Sequence, residues 1–160
     1  MSHPSLGLPP RSLTAGFPDA AARLQTHRVA IGVRALEIAR DEDPTLASRY
    51  DELGLRLLLR DTEALVDRLA LCVAGDDPHW LHEFADQSAT VFRRRRVPMD
   101  DLVAICEGLR AAIRSHLSAE ELVPADAALD AAVAVYRDYR RLAGDARKRN
   151  RILAAIYKGA

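Results

Sequence analysis

Residues 76–117 read DDPHWLHEFADQSATVFRRRRVPMDDLVAICEGLRAAIRSHL, and this stretch decides the fold. Asp77-Pro78 is a helix start, since Asp caps and Pro suits the first helical position. Beyond it, Trp80, Phe84, Ser88 and Val91 recur every three or four residues with Leu81 and Phe92 alongside, which predicts one apolar helix face. After Arg93–Arg96, the run Val97-Pro98-Met99-Asp100-Asp101 is a second start, with acids in the first turn where the helix dipole favours them. Leu102, Ile105, Cys106, Leu109, Ile113 and Leu117 then line a second helix. Two such helices cannot bury their stripes alone. The expectation is a helical core that includes Trp80 and Phe84.

Upstream, residues 1–16 carry scattered Pro, Gly and Ser and are expected to form a disordered arm. A first helix is predicted from Pro18 to about Arg40, ended by Asp43-Pro44, because Pro disfavours helical geometry in the residue before it. Gly32 weakens that helix unless another backbone packs close to it. Thr45 is the predicted N-cap of a longer helix running to about Ala74, with Gly54 as a possible divider and Gly75 as its stop. This helix is greasy on more than one side: Leu53, Leu57 and Leu71 lie off the stripe formed by Leu55, Leu58, Leu59, Leu65 and Leu69. Such a helix lies centrally or between a core and a partner.

Downstream, Ser118-Ala119-Glu120-Glu121 has the form of a capping box, with Pro124 expected to break it and a last helix starting near Ala125. That helix shows Leu129, Ala132, Val133, Tyr136, Tyr139 and Leu142 on one side. Gly144-Asp145 is expected to interrupt it. The remainder, residues 145–160, is basic and amphipathic: Arg147, Lys148, Arg149, Arg151 and Lys158 have no acid beyond Asp145, and Ile152, Leu153, Ile156 and Tyr157 form a small stripe. With no alternating β run, the chain reads as all-α: a single-domain bundle of five or six helices over residues 17–144, between the arm and the basic segment.

Composition narrows the function. Basic and acidic residues number 23 each, so the net charge of zero argues against bulk binding to nucleic acid or an anionic membrane. Nearly all the bases are Arg, which favours planar, bidentate pairing with the many Asp and Glu. The two cysteines, Cys72 and Cys106, fall on apolar stripes and read as buried free thiols. No apolar run is long enough to span a membrane and no signal peptide is evident, so the protein reads as cytoplasmic.

The chemistry sought is mostly missing. His79 and His82, with Asp76, Asp77 and Glu83 nearby, have the donor types a metal wants, but the order His-x-x-His-Glu matches neither zinc-protease motif; a solvated helix start is the simpler reading. His116 near a helix end invites a haem reading, and the helix dipole explains it more simply; His27 reads as a polar-face residue. No phosphate loop, nucleophile elbow or Cys-x-x-Cys occurs, and Ser88, Ser115 and Ser118 lack an evident His/Asp set. The expectation is that the chain is not an enzyme and holds no cofactor.

The pattern Asp61-Thr62, Leu65-Val66, Leu69, then Asp77-Pro78-His79-Trp80, then Phe92-Arg93-Arg94-Arg95-Arg96-Val97-Pro98-Met99-Asp100-Asp101-Leu102-Val103 resembles the N-terminal sensor domain of stressosome RsbR-type proteins. A similar domain precedes PucR/CdaR-type transcription regulators. The resemblance covers roughly Leu53 to Ala143. It implies a globin-like fold without haem, a dimer, and a last helix that leads to an output module such as a STAS or helix-turn-helix domain. No such module follows within these residues, so what remains implied is sensing, dimerisation or docking.

These strands converge on a regulatory, sensor or adaptor domain that forms a homodimer and docks an unidentified protein partner. Arg147, Arg149, Arg151, Ile152, Leu153, Ile156 and Tyr157 are the expected partner-binding residues, since short basic amphipathic segments commonly order on a partner. Two other readings stand beside it. A nucleic-acid-associated factor using the same basic segment would weaken steeply with salt. A globin-like haem or cofactor sensor would be coloured.

Overall fold

The structure, a computed structural model, describes residues 15–149, with side chains as far as Arg141. Six α-helices follow one another: α1 Pro18–Thr26, α2 Arg28–Glu42, α3 Glu52–Gly75, α4 His79–Arg94, α5 Met99–Ala112 and α6 Ala119–Arg149. Two single 3₁₀ turns, Ala47–Arg49 and Ile113–Ser115, complete the ordered elements, and no strand occurs among the described residues. One hydrophobic core joins all six helices. The first 14 residues of the predicted arm lie outside the described residues. The residue that follows the arm is pinned: the Phe17 N–H donates to the Val73 carbonyl at 2.9 Å.

The α5 stripe is buried as its spacing predicts: Leu102, Ile105, Cys106, Leu109, Ile113 and Leu117 are all in the core. α5 crosses α2 so closely that a Cβ on Gly108 would stand 2.3 Å from the Ala35 carbonyl oxygen. Only glycine permits that approach. The Ser118 capping box also forms, the Ser118 N–H donating to Glu121 at 2.8 Å and the Glu121 N–H to the Ser118 hydroxyl at 3.3 Å.

Several expectations give way. The predicted Pro18–Arg40 helix is two helices with a break at His27. Thr45 caps nothing; Asp51 is the N-cap of α3, its Oδ1 accepting the Gly54 N–H at 2.7 Å, so Gly54 belongs to the first turn and divides nothing. α3 ends not with a left-handed Gly75 but with Asp76 at φ 48°. Pro124 sits inside α6 and is buried; its missing N–H orphans only the carbonyl of Glu120, an exposed residue in the first turn, so the helix continues. Gly144-Asp145 does not interrupt α6 either, since Gly costs a helix only about 1 kcal/mol against Ala.

The largest correction concerns α4. The buried residues are Leu81, Ala85, Ala89 and Phe92, whereas Trp80 is 44% exposed and Val91 48%. Phe84 is half-buried against the core under the Arg68 guanidinium, 5.7 Å from its ring centroid. The helix is thus turned by about one residue, roughly 100°, from the predicted face. α4 packs on α6, the Phe92 and Tyr136 rings 6.5 Å apart, while the first-turn Trp80 stays exposed. α4 then closes with a Schellman motif: Arg96 is left-handed at φ 61°, the Arg96 N–H donates to the Arg93 carbonyl, and the Val97 N–H donates to the Phe92 carbonyl.

Candidate docking surface

Among the described residues, exposed large apolar side chains cluster on α2 and the first turns of α3, with Leu71, Trp80, Val91 and Val123 scattered elsewhere. Val33 and Leu36 of α2, Leu46 and Ala47 of the connection, and Leu55 and Leu59 of α3 line a groove of about 370 Å³. That volume falls in the range of binding clefts, about 300–1,000 Å³. Glu37, Arg40, Glu52 and Arg56 stand at its rim. All four are already paired, Glu37 with Arg34 at 3.1 Å, Glu52 with Arg56 at 2.6 Å and Arg40 with Asp41 at 3.9 Å. The greasy character of the Leu53–Val73 segment therefore divides. Leu58, Leu65, Val66 and Leu69 go to the core, Leu55 and Leu59 to the groove, and Leu53 and Leu57 point outward, 64% and 37% exposed. A second hollow of about 340 Å³, lined by Asp51, Glu52 and Arg56 with Leu53 as its one apolar residue, adjoins the groove.

A polar anchor holds the groove wall in place. Asp101, in the first turn of α5, is 3% exposed. Its Oδ1 accepts Arg49 Nη2 at 2.6 Å, and its Oδ2 accepts Arg49 Nε at 3.2 Å and the Tyr50 hydroxyl at 2.6 Å. Arg49 also donates to Asp43 at 2.8 Å and to the Thr45 hydroxyl at 2.6 Å. The loop carrying Leu46 and Ala47 is thereby tied to α5. Bidentate charge-assisted bonds of this kind are strong, and breaking one leaves a buried carboxylate uncompensated. The Thr45 hydroxyl, then Arg49, hold the Asp43 carboxyl down at about 2. Burial first, then the Asp101 carboxylate, push the Tyr50 phenol well above its ordinary value. Hydrogen bonds to Asp101 and Asp43 raise Arg49 in turn, so it stays charged at any ordinary pH. The Val97-Pro98-Met99-Asp100-Asp101 turn is thus read by its packing: Val97 and Met99 enter the core, and Asp101 pins the loop opposite. Sequence reading gave Asp101 only a dipole role. The Arg49-Tyr50 pair that answers it carried no local signal.

Several other Arg residues also pair with acids. Arg95 meets Asp61 at 2.7 Å, Arg23 meets Glu121 at 2.6 Å, and Arg110 meets Glu107, Asp126 and Asp130 at 2.5–3.0 Å.

Of the predicted partner-binding residues, Arg147 and Arg149 lie on α6 beyond the described side chains, and Arg151, Ile152, Leu153, Ile156 and Tyr157 lie outside the described residues. His79 and His82 stand exposed at the α4 start, His79 3.5 Å from Glu83. Among the described residues, no group of three or more His, Cys, Asp or Glu side chains converges as a metal site would require. His27 and His116 stack at the α1–α2 break, ring centroids 4.8 Å apart; burial and then His27 push His116 below its ordinary value. Cys72 and Cys106 are free and buried, and burial pushes the Cys106 thiol up to about 12, far from a reactive thiolate. No described helix is long and apolar enough to cross a membrane. No family model matches the chain, and no curated protein matches it.

Proposed function

We propose that the protein is a non-enzymatic regulatory domain, a sensor or adaptor, that acts by forming a homodimer and docking a partner protein. The observation that carries this is the uncovered apolar surface at the start of α3: an outward Leu53–Leu57 pair beside a groove floored by Leu46, Leu55 and Leu59. Apolar surface gathered in one place and rimmed by charge is what docking sites present. Neighbouring copies meeting at Leu53 and Leu57 would form the dimer, and the groove remains for a peptide or helix. The RsbR-type resemblance supports the same reading, since such domains are dimeric helical sensors. Localisation in the cytoplasm belongs to this proposal as well.

Light scattering at micromolar concentration tests it. A dimer mass is expected for the native chain, and a monomer with unchanged helicity for the double variant Leu53→Glu/Leu57→Glu. A native chain of monomer mass would overturn the dimer.

A further inference from the structure

We propose that the groove between α2 and α3 seats this chain's own segment after Arg149, with Ile152, Leu153, Ile156 and Tyr157 laid against Leu36, Leu46, Leu55 and Leu59. The proposal rests on the reading of the groove as a docking site and names what fills it when no partner is bound.

The topology brings the two together. α5 and α6 run antiparallel: Arg110, late in α5, pairs with Asp126 and Asp130 early in α6, and Arg140 pairs with Asp100 at the α5 start at 3.1 Å. α6 therefore passes Asp100 on its way out of the bundle. The next residue, Asp101, is the one gripped by Arg49 and Tyr50. Tyr50 leads through the Asp51 cap into Glu52, which stands at the groove rim. The end of the bundle that α6 leaves is thus the end at which the groove opens. Ile152 and Ile156 lie three and seven residues beyond Arg149, reaches of about 10 and 23 Å when extended, so the seat requires the end of α6 to lie within that distance of the groove.

Charge and chemistry agree with this placement. Asp41, Glu42, Asp51 and Glu52 are exposed at that end, and the acids there outnumber the bases. Beyond Asp145 the chain carries Arg147, Lys148, Arg149, Arg151 and Lys158 and no acid. The groove offers apolar side chains with charges only at the rim, so nothing in it would orient a small polar ligand. What suits it is the apolar side of a short amphipathic helix, the mode in which residues three and four apart enter a groove together. Residues 152, 153, 156 and 157 have that spacing. A helix this short is marginal alone, since isolated helices below about 12–15 residues barely form; the groove supplies the partner it lacks. Seated this way, the segment would shield the groove and its own basic docking residues until a partner displaced it.

Cross-linking of the full chain tests the seat. In Leu55→Cys/Ile156→Cys, mild oxidation should give a disulfide within one chain, seen as monomer mass on a denaturing gel and as a linked peptide pair by mass spectrometry. The buried native cysteines should stay out of it, as the two single variants will show. Val123→Cys/Ile156→Cys, with its first cysteine on the early turns of α6, serves as the control. A cross-link no stronger than that control, or one at twice the monomer mass, overturns the proposal. The second result would seat the segment on a neighbouring copy instead. A second measurement is independent of cross-linking geometry. Leu55→Glu should speed trypsin cleavage after Arg149 or Arg151 several-fold over the native chain, whereas Leu53→Glu should not; an unchanged rate overturns the seat. If the cross-link fails while light scattering still gives a Leu53-dependent dimer, the seat falls and the docking reading stands.

Discussion

Leu57 and Leu69 lie on one helix, have the same side chain, and meet different surroundings. Leu69 is fully covered, and Leu57 is 37% exposed. The cause is not local. Most of the later turns of α3 are covered, with Phe17 at the start of α1 donating to Val73, Arg95 at the end of α4 pairing with Asp61, and α6 packed alongside, though Leu71 stays 38% exposed. The first turns have α2 and the Asp43–Tyr50 loop on one side and solvent on the other. A leucine is buried where enough elements converge to surround it. Where they do not, the same residue becomes an exposed apolar surface. The N-terminal part of α3 is where exposed leucines gather beside a groove; the exposed apolar side chains of Leu71, Trp80, Val91 and Val123 stand apart.

Single substitutions press on that contrast. Leu69→Ala should cost about 3–5 kcal/mol, since it opens a cavity in a site with no room to relax; a urea midpoint close to the native one would mean that the α3 core is looser than its burial. Arg49→Ala should cost about 2–3 kcal/mol, below the usual 3–5 for breaking a buried pair because Arg49 keeps one edge in water and Tyr50 still donates to Asp101. The same variant should make the Leu46 wall of the groove exchange its amide hydrogens faster. Leu57→Ala, measured at the same protein concentration, should change monomer stability by less than about 1 kcal/mol; a loss as large as that of Leu69→Ala would erase the contrast.

Trp80→Ala belongs with Leu57. The indole is 44% exposed, so a cost of about 1 kcal/mol or less is expected, with native fluorescence near that of solvated Trp. A blue-shifted emission would show that something covers it in solution. The smallest effect is a titration. Asp43 should titrate near pH 2 by NMR, held down by Thr45 and Arg49. Because its folded value lies below the ordinary one, its contribution to stability is present above about pH 4 and is lost as pH falls through about 2. A value near the ordinary 3.8 would mean that the loop is not clasped.

Much of the fold was legible because its signals are local. The α5 stripe, the Ser118–Glu121 box and the Asp77-Pro78 start each lie within one or two turns, and each appears as predicted. The α4 face was not legible, because Trp80-Phe84-Val91 and Leu81-Ala85-Phe92 have equally good helical spacing. Size favoured the aromatic stripe, and the packing of α4 in the bundle buried the other one. Apolar content in the first turns of α3 was visible as surplus; its division between groove and outward stripe was not.

The sequence by itself determined that this chain is all-helical over its described residues, where α1, α4 and α5 start, and that α3 has more apolar surface than one face can use. These follow from periodicity and capping, which act between residues three or four apart. Only the tertiary structure decided that Asp101 would clasp Arg49 across 52 residues, that Asp51 rather than Thr45 would cap α3, and which side of α4 would meet the core. Those outcomes depend on which helices converge at a point, and no short stretch of sequence carries that information.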